Sequence, residues 1–109
     1  MLDEKSVRVA LEAERGRIRA EIEDSAESRA TVELDQTSVG RLSRMDALQG
    51  QAMARAADER RRLRLSRIAA TLTRLDDGEF GACVSCGEDI AEARLMLDLT
   101  TPTCIRCAR

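Results

Sequence analysis

Phe80 is the single aromatic residue in this chain, which has no tryptophan and no tyrosine. Ring side chains fill the centre of a broad globular core, and a sequence without them must bury apolar surface along narrower contacts. The apolar 43% is carried by Ala, Leu, Ile, Val and Met, beside 35% charged residues, six glycines and one proline. That balance points to long helices packed along seams.

Two such helices can be read. Val7, Leu11, Ile18 and Ile22 recur at spacings of four, seven and four, which predicts one apolar stripe on a helix over about 4–33. Asp35-Gln36-Thr37-Ser38-Val39-Gly40 interrupts the pattern, and Thr37 or Ser38 can cap the helix that follows. The second helix is expected over about 40–77. Leu42, Met45, Leu48, Ala52 and Ala56 form its stripe. Leu65, Ile68, Leu72 and Leu75 continue it at spacings of three, four and three, the coiled-coil period. Asp76-Asp77-Gly78 ends it, Gly78 being suited to the left-handed position just past a helix. Gly50, inside the helix, has no evident purpose. A short turn between long helices sets them antiparallel. The expectation is a hairpin over residues 1–78 with its tip near 34–40, followed by a separate unit over 79–109.

The net charge of −2 attracts no polyanion, but its distribution is uneven. Residues 1–35 hold ten acids and six bases, whereas residues 55–67 hold six arginines against Asp58 and Glu59. The two arms can lie side by side, although most such runs are solvated helix faces. No stretch approaches the roughly 18 apolar residues of a membrane span. Met1-Leu2-Asp3-Glu4-Lys5 leads into no apolar stretch of a secretory signal, so a cytoplasmic location is expected.

The cysteines are more specific. Cys83-Val84-Ser85-Cys86 is followed, after seventeen residues, by Cys104-Ile105-Arg106-Cys107, which uses all four cysteines of the chain. A two-residue gap lets both sulfurs of a tight knuckle reach one metal ion, and Gly87 permits the turn. Paired knuckles at this separation have zinc-ribbon spacing. Four thiolates fill the tetrahedral shell of zinc, so the site is structural and holds no catalytic hydroxide. A pair of disulfides and an iron–sulfur centre are the rival readings; a reducing compartment favours metal. Leu95, Met96, Leu97, Leu99 and Ile105 are the candidates to cover the ion, with Phe80 anchoring the ribbon to the helix end.

Catalysis is not expected. The chain has no histidine, the usual general base. It has no glycine-rich phosphate loop, and its serines lack a nucleophile context. The Asp76-Asp77 and Glu88-Asp89 pairs lie at a helix end and behind a knuckle. Nucleic-acid readout is weakly supported too, because stacking aromatics are missing and the ribbon holds more acids than arginines.

Glu79-Phe80-Gly81-Ala82-Cys83-Val84-Ser85-Cys86-Gly87-Glu88-Asp89-Ile90, then Ala93-Arg94-Leu95, then Cys104-Ile105-Arg106-Cys107, resemble the DksA/TraR C4-type zinc finger. The resemblance implies a mainly α fold: a long antiparallel coiled-coil hairpin followed by a small four-cysteine zinc ribbon with one structural zinc. It also implies a monomeric transcription regulator that binds RNA polymerase without sequence-specific DNA contact. Such proteins insert the coiled-coil tip into the secondary channel and alter initiation, some of them together with ppGpp. The tip motif of the best-known members is Asp-x-x-Asp-x-Ala. Here Asp35 matches its first residue, Ser38 replaces the second Asp and Gly40 the Ala, so Asp35, Thr37, Ser38 and Gly40 are the candidate partner-binding residues. The alternative is a zinc-ribbon coiled-coil adaptor between proteins, or a hairpin that packs on itself. Exposed Met45, Leu48 or Met53 would favour it.

Overall fold

A computed structural model of the chain describes residues 2–35 and 41–108, with side chains for 2–26 and 45–108. Three helices carry the fold: α1 (Glu4–Asp35), α2 (Arg41–Asp76) and the short α3 (Glu92–Leu97). No strand forms among the described residues, only an isolated antiparallel bridge between Ala82 and Asp89. No helix among them is long and apolar enough to cross a membrane.

The helix ends have local causes. Asp3 opens α1: its carboxylate accepts the Lys5 N–H at 3.2 Å and the Ser6 hydroxyl at 2.9 Å. This satisfies a donor that the first helical turn leaves free. At the far end of α2, the Gly78 N–H donates to the Leu75 carbonyl at 3.2 Å and the Glu79 N–H to the Arg74 carbonyl at 2.8 Å. That pair of bonds is a Schellman closure, and it needs the φ of +73° that Gly78 adopts. α1 closes at Asp35 and α2 opens at Arg41, which brackets the expected tip; Gln36–Gly40, with the proposed caps Thr37 and Ser38, lie outside the described residues.

The chain forms two compact units. The first combines residues 1–15 with 66–109. Its helices bury Val7 and Leu11 from α1 and Ile68, Leu72 and Leu75 from α2, each at most 7% exposed. Arg8 donates to Asp76 at 2.6 Å, joining the start of α1 to the end of α2 as antiparallel helices require. Thr71 is fully buried: its hydroxyl donates to the Arg67 carbonyl at 2.8 Å and accepts from the Arg74 guanidinium at 3.0 Å. Burial lowers the pKa of Arg74.

The second unit, residues 16–65, has a more polar seam. Ile18 is buried and Ile22 half-buried on α1, and α2 buries Asp58. The Asp58 carboxylate accepts from Ser25 at 3.2 Å and from Arg61 at 2.9 Å, while Arg61 also reaches Glu21 at 3.2 Å. Along α1 from Glu21 to Ser25 the α2 partners step back from Arg61 to Asp58, so the helices are antiparallel here as well. One arginine of the basic run thus joins the acidic arm, as charge balance suggested.

The expected apolar stripe at the start of α2 is corrected. Met45, Leu48, Ala52 and Ala56 are exposed, and the side chain of Leu42 lies outside those described; Ala47, Gln51, Ala54, Ala57 and Leu65 are among the half-buried positions of α2. A carboxylate and a guanidinium, Asp58 and Arg61, occupy seam positions that the apolar period does not mark. Gly50 keeps open space around it, so no close approach explains it.

Two substitutions test this assignment. Ile68→Ala removes a fully buried side chain and lowers unfolding stability by about 2–5 kcal/mol. Gly50→Ala meets nothing and raises stability by up to about 1 kcal/mol. Urea unfolding followed by circular dichroism reads both.

Candidate metal centre

The first knuckle folds because residues 81–90 form a small closed turn. The Ile90 N–H donates to the Gly81 carbonyl at 2.7 Å and the Cys83 N–H to the Glu88 carbonyl at 2.8 Å. Between them the Gly87 N–H returns to the Cys83 carbonyl at 2.9 Å. Gly87 adopts φ +79°, a conformation costly for any residue with a Cβ. In the second knuckle the N–H groups of Cys107 and Ala108 donate to the Cys104 carbonyl at 3.1 and 3.0 Å. The Val84 N–H donates to the Pro102 carbonyl at 2.9 Å and ties one knuckle to the other.

The segment between the knuckles is held by polar contacts. Asp98 takes both the N–H and the hydroxyl of Thr100, at 3.0 and 2.8 Å, and its carbonyl accepts from the Thr101 hydroxyl at 2.7 Å. Arg94, on α3, donates through Nε to the Thr103 carbonyl at 3.0 Å, fixing the backbone directly before Cys104.

These folds bring Cys83, Cys86, Cys104 and Cys107 together with all four Sγ atoms within 4.8 Å of one another. None is in a disulfide. The Cys86 and Cys104 sulfurs are 3.7 Å apart, beyond the roughly 2.05 Å of a disulfide. It is close to the sulfur–sulfur edge, about 3.8 Å, of a tetrahedron with zinc–sulfur bonds of about 2.3 Å. The donor set and its spacing therefore fit one four-thiolate zinc, a structural ion with no ligand position left open.

The electrostatics lead to the same ion. Backbone N–H groups, Cys104's first and then those of Cys86 and Ser85, lower the Cys83 thiol to about 6. The Cys107 and Arg106 amides lower Cys104. Cys107, against the sulfurs of Cys104, Cys86 and Cys83, is pushed up to about 12. Cys86 is raised although the Glu88 amide pulls it down, because burial and the sulfurs of Cys83 and Cys104 outweigh that bond. The knuckle amides favour thiolate, and crowding opposes four thiolates together. A divalent cation removes that opposition.

Around the sulfurs, Ile90 and Leu95 are buried with Cys83 and Cys104, and Leu2, Phe80 and Cys107 pack against them. Leu95 takes the place expected for it, and Phe80 packs on the same cluster. Met96, Leu97 and Ile105 do not: they are 69%, 89% and 79% exposed, and Leu99 is half-buried. α3 has little more than one turn and turns one apolar residue inward. Ile90 and Leu2 do the covering instead. Ile90 stood in the knuckle motif as a signal, whereas Leu2, a single apolar residue in a polar stretch, gave none. Of the candidate tip residues, Asp35 is the last residue of α1, and Thr37, Ser38 and Gly40 lie outside the described residues.

Zinc removal tests the centre. A strong chelator, or Cys104→Ser, is expected to abolish the one zinc per chain seen by native mass spectrometry and to melt residues 79–108 while part of the helical signal survives. Unchanged circular dichroism and thiol reactivity after chelation would contradict this. Arg94→Met frees the backbone before Cys104 without removing a ligand, and should weaken zinc affinity about tenfold in a competition titration.

Comparison with known proteins agrees with the geometry. Residues 78–109 match the prokaryotic dksA/traR C4-type zinc finger. The chain is 43% identical over 49 residues, 45% of its length, to the RNA polymerase-binding transcription factor DksA of Haemophilus influenzae. It spans 34% of that relative's length. The structure of transcription factor DksA2 from Pseudomonas aeruginosa superposes with a TM-score of 0.81 at 25% identity, over 94% of this chain and 78% of that one. The likeness thus reaches from the knuckles into the helices that precede them: residues 78–109 match the DksA/TraR C4-type zinc finger, and the fold as a whole is similar to that of DksA2.

Proposed function

We propose that this chain is a cytoplasmic transcription regulator that binds RNA polymerase directly, presents the turn between α1 and α2 to the enzyme's secondary channel, and modulates initiation. The observation that carries the reading is the fold likeness to DksA2 over 94% of the chain. Identity to a relative named as an RNA polymerase-binding transcription factor supports it. The division of labour follows the sequence: the hairpin of residues 1–78 reaches, and the zinc module of residues 79–109 holds its base. Asp35, with Thr37, Ser38 and Gly40, makes the contact near the active centre, one copy per polymerase. The role is non-catalytic and needs no readout of DNA sequence.

One observation favours a second reading, a protein–protein adaptor. Met45, Leu48 and Met53 are 64%, 60% and 74% exposed on α2.

Gel filtration with core polymerase separates the two. On the first reading the chain co-elutes with core enzyme and changes the lifetime of promoter complexes. Asp35→Asn keeps the binding and lessens the change, as does deletion of residues 34–40. Absence of co-elution at micromolar concentrations would end this reading.

A further inference from the structure

The start of α1 and the zinc module together line a cleft of about 670 Å³. That volume lies within the roughly 300–1,000 Å³ of small-molecule sites. The floor is apolar: Ile90 and Leu95 are buried in it, with half-buried Leu2 and Phe80 beside them. Charged side chains line the cleft from two separate segments. Asp3, Glu4 and Lys5 come from the start of α1, and Asp89 and Glu92 from the zinc module.

Four carboxylates and one ammonium leave this lining at a net −3. The neighbouring sequence supplies no compensating cation, because between Arg74 and Arg94 stand six acids and no base. Asp3 is engaged as a helix cap, but Glu4 and Asp89 make no side-chain hydrogen bond or ion pair among the described residues. A cleft with one dominant sign of charge and low-dielectric walls focuses its field on whatever enters it.

We propose that this cleft binds a linear alkyl diamine. The methylene spine lies on the apolar floor, one ammonium meets Asp3 and Glu4, and the other meets Asp89 and Glu92. The charge of the lining turns away an anion. A bare metal cation leaves the apolar floor uncovered, and a monoamine answers only one of the two groups of acids. Lys5 opposes the ligand and limits its affinity. The site lies within residues 2–5 and 80–95, so it needs neither polymerase nor the turn after Asp35.

Titration of cadaverine into the zinc-loaded chain at low ionic strength, followed by backbone amide NMR shifts, tests it. Saturable shifts are expected at residues 2–5, 80–81 and 89–95, at about millimolar concentration for so small a ligand. Diaminohexane should bind about tenfold tighter than diaminopropane, which carries the same charge on fewer methylenes; each methylene fully laid on apolar surface is worth up to about fourfold. Asp89→Asn and Glu4→Gln should each weaken binding about threefold, and Lys5→Gln should strengthen it about as much, the size of one exposed ion pair. All three positions are exposed, so zinc content and the helical signal in circular dichroism stay unchanged. Absence of saturable shifts overturns the proposal. So do shifts spread equally over remote acids such as Glu12 and Glu23, or the same shifts from magnesium at equal ionic strength. Equal affinity for the two diamines, or a Lys5→Gln variant that binds no tighter, overturns it as well.

Discussion

Four sulfur atoms within 4.8 Å of one another are the constraint on which the C-terminal module rests. Left as thiols they are a small apolar cluster, and as thiolates they repel. Backbone amides pull Cys83 down while the neighbouring sulfurs push Cys107 up, two sides of that conflict. Zinc resolves it, and little else in residues 79–108 could. Beside the sulfurs the cluster has Ile90 and Leu95 at its centre and Leu2 and Phe80 at its edge. A core this small does not offset the entropy of ordering some thirty residues, at about 1–2 kcal/mol each for the backbone, without a metal.

The helices face the complementary problem of a seam with few large side chains. In the unit of residues 1–15 and 66–109 the solution is mainly aliphatic, with Leu11, Ile68 and Leu72 buried. In residues 16–65 it is ionic: Asp58 is 3% exposed, and Ser25 and Arg61 both donate to its carboxylate. A buried carboxylate is tolerated only where donors reach it, so this position specifies register as much as strength. A slip of one turn would take Ser25 away from the carboxylate, whereas Arg61 travels with Asp58 on α2.

Legibility in the sequence follows the same division. The sulfur site was readable because spacing alone decides which thiols can share an ion, and no tertiary context can move Cys83 and Cys86 apart. The helix limits were readable from Gly78 and from the polar break after Asp35. The covered face of α2 was not. Met45, Leu48, Ala52 and Ala56 have a helical period, and so do the residues that in fact lie inward. Periodicity gives spacing, not which of two stripes finds a partner, and an aspartate in the seam disguises the true one. The cover of the ion was half readable: Leu95 stands where expected, but α3 is too short to turn Met96 and Leu97 inward as well. Leu2 could not be found, because nothing local marks a lone leucine as part of a cluster formed by residues 80–107.

That leucine has a bearing on how the molecule is made. Leu2 packs against a cluster containing Cys104, so almost the full sequence separates two members of one core. During vectorial synthesis the opening turn of α1 leaves the ribosome with its apolar side uncovered, and it stays so while both long helices and the first knuckle emerge. Only when the second cysteine pair is translated and an ion captured does the cluster gain its full membership. Availability of the metal in the seconds after translation therefore governs how long that apolar surface stays open to chaperones and proteases.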